Sequence, residues 1–391
     1  QQYGSIGLLV VQQRHSSNVV KSQTSNLAAY KRGTGGRSSF SGIVATVFGN
    51  SGFMGSSMVT RLGKIGSQVI LPYRCDPYVI RNLRLCGELG QINFVPFDLR
   101  NEEDLIKSMK YSNVVINLIG RDWETKNYNF NDVHVEGPRK LASLARKLGV
   151  ERFIQVSHLN ASPNPTPILL SKGSEYLKTK WAGEMAVKDE FPEATIIRPS
   201  DMYGIDDNFL FYYMNRWRRS GKNKMSLWRK GEQTIKMPVD VRDVTQGIVN
   251  AIQDPSSAGK TYECVGPHPY LLSEIIDYLF RIIRAPSYKR TDISPTFLAK
   301  LEVVRRAPDL PHMTWERVEK EFVSDVLHDL PSLEDLGVEP RAFETQARYL
   351  MRVFKLQRFY EESVGEFATP EKPKKYTPQS DLSLGHFSTH A

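Results

Sequence analysis

The chain has 391 residues, 40% of them apolar and 10% aromatic, enough for one large α/β body or two domains. Wholesale disorder is excluded, and no apolar run approaches the roughly 18 residues of a membrane-spanning helix. Three cysteines (Cys75, Cys86, Cys264) with no CxxC exclude a disulfide framework or a zinc module, and suit a reducing compartment. The net charge of +9 is unevenly placed. No Asp or Glu precedes Asp76, whereas Arg14, Lys21, Lys31, Arg32, Arg37, Arg61, Lys64 and Arg74 do.

Residues 1–42 read as a basic, flexible arm. Its Ser-rich, acid-free composition predicts a mitochondrial import segment. Its basic residues are sparse and it has few stacking aromatics, which argues against nucleic acid. The Gly/Ser-rich stretch Lys31–Gly42 is a connector, and the folded body begins at Ile43. From there short apolar runs alternate with amphipathic segments. Strands are expected at Ile43–Phe48, Gln68–Tyr73, Ile92–Phe97, Asn113–Leu118, Phe153–Ser157 and Thr195–Arg198. Helices are expected at Phe53–Ile65, Tyr78–Cys86, Asn101–Met109, Asn131–Leu148 and Ser174–Phe191. This is the pattern of right-handed βαβ units, and it predicts a Rossmann-type, doubly wound parallel sheet over 43–204. A smaller mixed α/β lobe is expected over 205–360, with helices at Phe209–Trp217, Val239–Ile252 and Leu271–Ile283. The polar, Pro-bearing tail 361–391 has too little apolar surface to fold by itself.

In a sheet of this kind ligands bind beyond the carboxyl ends of the strands. The first strand runs into Gly49-Asn50-Ser51-Gly52-Phe53-Met54-Gly55 and then a helix. Gly49 permits the turn, Gly52 lets backbone approach a pyrophosphate, and Gly55 lets the helix pack closely. The N–H groups of Gly52, Phe53 and Met54 are expected to be free for phosphate. At the end of the second strand Arg74 stands where an adenosine 2′-phosphate would lie, which favours NADP. The alternative is a solvated Arg74, with Asp76 serving the ribose of NAD. Asp98 and Leu99 close the third strand at the adenine edge, and Asn117-Leu118-Ile119-Gly120 close the fourth on the ribose side. Tyr176 and Lys180 share a helix face at i and i+4, where an ammonium would lower the phenol's pKa and could bond the nicotinamide ribose. Ser157, at the end of the fifth strand, completes the candidate constellation, and Pro199 ends the sixth.

Taken together, the glycine loop, Asp98, Tyr176 with Lys180, Arg198-Pro199-Ser200 and the segment Val239–Val244 resemble the extended, atypical branch of the short-chain dehydrogenase/reductase superfamily. Asn117–Tyr128, Val133–Ala142, Arg152–Ala161 and Arg198–Gly204 are similar, more narrowly, to the nucleotide-binding accessory subunits of mitochondrial respiratory complex I. That resemblance implies bound NADPH acting as a structural cofactor, other complex I subunits as partners, and a position on the matrix side of the inner membrane at the junction of the two arms. The chain also departs from the enzymatic pattern. Active members carry their serine further upstream of the tyrosine than Ser157 or Ser162 stands here, and His134 replaces a usual Asn. Pro163–Pro167 is a poor frame for a catalytic pocket. Ser157, Tyr176 and Lys180 are therefore residual catalytic candidates. The other readings are an active NADP-dependent oxidoreductase or epimerase, or a sensor of the NADPH ratio in which Cys75 takes part. The aromatic stretch Phe209–Trp217 with Arg216, Arg218 and Arg219 is either an interaction surface, for instance for anionic lipid, or a helix packed on its own lobe.

Overall fold

Strand β1 (Val44–Phe48) is buried along its whole length, as a strand covered on both faces must be. In the computed structural model, which describes residues 31–215, 218–219, 224–285, 288–305, 313–355 and 364–377, it lies between β2 (Gln68–Tyr73) and β4 (Val114–Asn117). β2 pairs with β3 (Ile92–Pro96), β4 with β5 (Arg152–Val156), β5 with β6 (Thr195–Pro199), and β6 with β7 (Thr261–Cys264), all parallel. The strand order 7-6-5-4-1-2-3 reverses direction between β1 and β4. Connections leave that point to opposite faces of the sheet and open a crevice at the strand ends.

The sheet is covered by α1 (Phe53–Lys64), α2 (Glu102–Met109), α3 (Gly137–Lys147), α4 (Glu175–Glu190) and α5 (Val241–Gln253). Alternation along β1 divides the two faces. Ala45 and Val47 join Met58 and Leu62 of α1 and Val244 and Ile248 of α5 in one core. Phe48, on the other face, packs with Leu105 of α2, Leu141 of α3 and Val187 of α4. The helix starts differ. Asn101 caps α2, Ser174 caps α4 and Asp240 caps α5, each with an acid in the first turn. α1 has Gly52 at its cap position, no capping side chain and no acid.

A second core gathers α6 (Leu272–Ile282), α7 (Pro295–Arg305), α8 (Trp315–Phe322) and α9 (Phe343–Leu350) around Tyr212, Tyr213 and Met214. A boundary at residue 204 does not divide the two cores. The helix expected in the second lobe at Val239–Ile252 is α5, on the main sheet, and β7 extends that sheet beyond residue 260. The chain therefore leaves the sheet, starts the second lobe, returns, and leaves again. The cores are locked together by Lys236, whose buried ammonium lies 2.8 Å from Asp201 and 3.6 Å from Asp325.

Three further expectations change. The described part of the N-terminal arm is held on the body: Ser41 N–H donates to the Gly66 carbonyl at 3.1 Å and Arg37 to the Gly87 carbonyl at 2.9 Å. The described part of the tail returns to its own lobe, where Tyr376 N–H donates to the Pro269 carbonyl at 2.9 Å. In the aromatic stretch, Phe209, Leu210 and Tyr212 to Met214 are core residues, and Arg218 is fully buried against Glu321 at 2.7 Å. That arginine serves the lobe's own packing rather than a lipid headgroup. Arg216 and Trp217 lie outside the described residues, as do residues 1–30 and 378–391. Among the described residues no helix is long and apolar enough to cross a membrane, and no His/Cys/Asp/Glu group is arranged to hold a metal.

Candidate functional site

The loop between β1 and α1 is shaped by two glycines for internal reasons. Gly49 has φ +79°, and a Cβ there would lie 2.8 Å from the Leu118 carbonyl carbon. A Cβ on Gly55 would lie 2.3 Å from the Asn50 carbonyl oxygen. Gly52 differs. Its φ of −80° is ordinary, and the nearest atom its Cβ would meet is the Gly49 oxygen at 3.4 Å. Among the described residues nothing demands a glycine there, whereas a ligand seated against the backbone would. The Gly52 N–H is not free as expected, since it donates to the Gly49 carbonyl at 3.2 Å and closes the turn. The N–H groups of Phe53 and Met54, in the first turn of an uncapped helix, remain for an anion. Asn50 ties the loop to the sheet by donating to the Val47 and Pro72 carbonyls, and its buried Oδ1 has no partner.

From this loop a cavity of about 600 Å³ runs along the strand ends, within the size range of small-molecule sites. Gly49, Asn50, Ser51, Gly52, Phe53, Met54 and Gly55 line it, as do Arg74, Leu99, Leu118, Ile119, Gly120, Ser157, Tyr176, Lys180 and Pro199. Two expected residues do not. Asn117 is wholly buried, donating to Gln155 and accepting from the Ile119 N–H at 3.1 Å, so it shapes the strand end from beneath. Asp98 accepts from the Arg100 N–H and from the Tyr128 hydroxyl at 3.0 Å; the first of these bonds contributes most to lowering its pKa. It acts through Tyr128, which does line the cavity.

At this outer end the Arg74 and Arg100 guanidinium carbons lie 4.9 Å and 4.5 Å from the Tyr128 ring centre. Arg121, unnoticed in the sequence, also lines the cleft; partial burial and then the Arg74 charge lower its pKa. Among the described residues neither Arg74 nor Arg121 has a carboxylate within 4 Å. The two guanidiniums are near enough for the Arg74 charge to act on Arg121, and both can contact an anion in the cleft.

The inner end holds Tyr176 and Lys180, both buried. The Lys180 ammonium lies 5.9 Å from the Tyr176 ring centre and donates to the Val156 carbonyl at 3.4 Å. Burial, partly opposed by Glu184, pushes this lysine down to about 8. The phenol does not follow the expectation of a lowered pKa. Burial, then the carboxylates of Asp122 and Asp201, raise it well above the ordinary tyrosine value. Among the described residues the buried Ser157 hydroxyl has no partner. His134 is held neutral by burial, bonded to the Thr179 hydroxyl and the Arg121 N–H, and packs on Tyr176 and Phe130. His158, whose ring centre lies 5.9 Å from that of Tyr176, is likewise held neutral by burial. Cys75 is half-buried at the outer rim, and the Pro163–Pro167 segment lies off the cavity.

The second lobe supplies one residue the sequence reading missed. Lys320 of α8 reaches the cavity, its ammonium 5.3 Å from the Tyr176 ring centre. Asp122, Asp201 and Asn208 join it there.

Residues 45–264 match the NAD dependent epimerase/dehydratase family. Over 353 residues the chain is 44% identical to the mouse protein named NADH dehydrogenase (ubiquinone) 1 alpha subcomplex subunit 9, mitochondrial, covering 89% of this chain and 90% of that one. The chain belongs to the alpha subcomplex subunit 9 family. The Neurospora crassa NADH-ubiquinone oxidoreductase 40 kDa subunit is 36% identical over 335 residues, 84% of each chain. Among solved structures, the dTDP-glucose 4,6-dehydratase DesIV of Streptomyces venezuelae, with NAD and TYD bound, superposes with a TM-score of 0.58 at 17% identity, covering 82% of this chain and all of that one. That likeness concerns fold. The epimerase/dehydratase match ends with β7, so Lys320 of this subunit 9 family chain lies beyond it.

Proposed function

We propose that this chain holds NADPH as a resident cofactor and serves as an accessory subunit of mitochondrial respiratory complex I. Its place would be on the matrix side of the inner membrane, where the peripheral and membrane arms meet, with other complex I subunits as its partners. The observation that carries the cofactor reading is one cleft lined by an acid-free, uncapped helix start and by the guanidiniums of Arg74 and Arg121, which among the described residues have no carboxylate within 4 Å. The Phe53 and Met54 N–H groups would take the pyrophosphate. Arg74 and Arg121 would take the 2′-phosphate that separates NADP from NAD. Lys180, Tyr176 and Ser157 would meet the nicotinamide riboside. The complex I reading draws on the named relatives in mouse and Neurospora crassa.

Bound NADPH would supply a hydride, but this chain's residues are poorly placed to use it. A phenol whose pKa is raised by burial and two carboxylates is a reluctant proton donor, and Ser157 offers it no hydrogen bond. Retention rather than turnover is the reading these features favour. Substituting Arg74→Ala together with Arg121→Ala should weaken NADPH binding roughly 10- to 100-fold, the worth of one or two charge-assisted phosphate contacts. NADH, which lacks that phosphate, should change little. Titration calorimetry with both nucleotides decides it, and equal losses would place the arginines elsewhere.

A further inference from the structure

Two ammoniums at the inner end of the cleft stand outside the ion pairs that its carboxylates make. Asp201 is paired with Lys236 at 2.8 Å and Asp122 with Arg317 at 3.6 Å. Glu184, which faces Lys180 from the same helix, is bound to Arg198 at 2.7 Å. Glu316 accepts from the Ser174 hydroxyl and the Tyr176 N–H at the start of α4. His134 and His158 are neutral. Lys180 and Lys320 make no such pair, and both ammoniums lie within 6 Å of the Tyr176 ring centre, with Lys320 acting on the Asp201 carboxylate from further off. Among the described residues neither has a carboxylate within 4 Å.

We infer that this end of the cleft selects the reduced dinucleotide over the oxidised one, and that Lys320, contributed by the second lobe, is the residue that sets the preference. The inference rests on the reading above that the nicotinamide lies at Tyr176 and Lys180. An oxidised nicotinamide ring carries a positive charge, and a reduced ring is neutral. Two ammoniums that close to the ring, neither in an ion pair among the described residues, repel the first and leave the second unaffected. All phosphate and adenosine contacts are common to the two forms, so the ratio of their affinities isolates the charge at the ring. A tenfold preference for the reduced form raises the midpoint potential of the bound couple by about 30 mV. Lys320 does this from outside the Rossmann layer, so the seating of α8 on the sheet becomes part of the nucleotide site.

The test uses the full chain freed of nucleotide and titrates NADPH and NADP⁺ separately into wild type, Lys320→Met, Lys320→Glu and Lys320→Arg. The wild type should hold NADPH at least about tenfold more tightly than NADP⁺. Lys320→Met should narrow that ratio by about tenfold, Lys320→Glu should narrow it further or invert it, and Lys320→Arg should keep it. A merely structural role would weaken both forms alike and leave the ratio unchanged. If Lys320→Met does not fold, the wild-type ratio and its narrowing in high salt still decide. Equal affinities in the wild type, or a ratio untouched by Lys320→Met, would overturn the inference while leaving the cofactor reading intact. Binding of neither form would remove both.

Discussion

Replacing Gly52 with aspartate should abolish dinucleotide binding and leave the free chain folded. The backbone there is ordinary, and a new Cβ meets only the Gly49 oxygen at 3.4 Å. Aspartate is moreover a favoured residue at a helix cap, so α1 itself gains rather than suffers. Its carboxylate would take the Met54 N–H, crowd the Phe53 N–H, and face the pyrophosphate with like charge. Losing two charge-assisted bonds amounts to about 4 kcal/mol, or roughly a thousandfold in affinity. Thermal melting should separate the two effects. The nucleotide-free variant should melt close to the nucleotide-free wild type, while the added stability from saturating NADPH, about 2.7 kcal/mol at a hundred times Kd, should vanish. A variant that unfolds without nucleotide would show that Gly52 answers a demand of the chain itself.

The largest loss of stability is expected at Lys236. Its side chain is wholly buried between Asp201 and Asp325, joining the end of β6 to the segment after α8. Burial alone would raise the Asp201 carboxyl, but Lys236 and then Lys320 outweigh it and hold it well below the usual carboxylate range. Asp325 stays raised by burial, opposed by the same lysine. Lys236→Met fits the space but strands two buried carboxylates, a change that costs about 3–5 kcal/mol. The pH dependence has a definite sign. In the native chain, the depressed Asp201 contributes stability above its unfolded pKa, and this is lost as pH falls through the lower folded value. Lys236, whose pKa is raised, contributes below its unfolded value and loses that contribution as pH rises through the folded one. In the variant the carboxylates lack their cation and bind protons more readily folded than unfolded. Acidification from neutral towards the carboxylate range should therefore narrow the gap to wild type. Denaturant melts across that range check this, and a gap that widens on acidification would contradict the pairing.

Six strands of the sheet were legible as short, mainly apolar runs that alternate with helical segments, most plainly Val44–Phe48, which is buried throughout and bounded by Gly42 and Gly49. The seventh, Thr261–Cys264, was not. It is short, and it carries Glu263, whose carboxylate is accommodated by the backbone and ring of His328, far along the chain. The phosphate loop was legible for a local reason, since strand, glycines and helix follow one another. The free Gly52 N–H was a misreading because the turn's own hydrogen bond is set by φ and ψ, not by residue type. Tyr176 and Lys180 were found from helical spacing, yet the direction of the tyrosine's shift depends on burial and on Asp122 and Asp201, which arrive from other loops. Lys320 had no signal of its own. Only the packing of α8 against the start of α4 brings it to a tyrosine far earlier in the sequence.

The most direct test is to isolate the chain from its native source without adding nucleotide, denature it, and identify what is released. One NADP(H) per chain, mostly NADPH when oxidation is prevented during release, is the predicted result. NAD(H), or no nucleotide at all, would contradict the account, since the arginines at the outer end and the uncapped start of α1 would then have no common ligand.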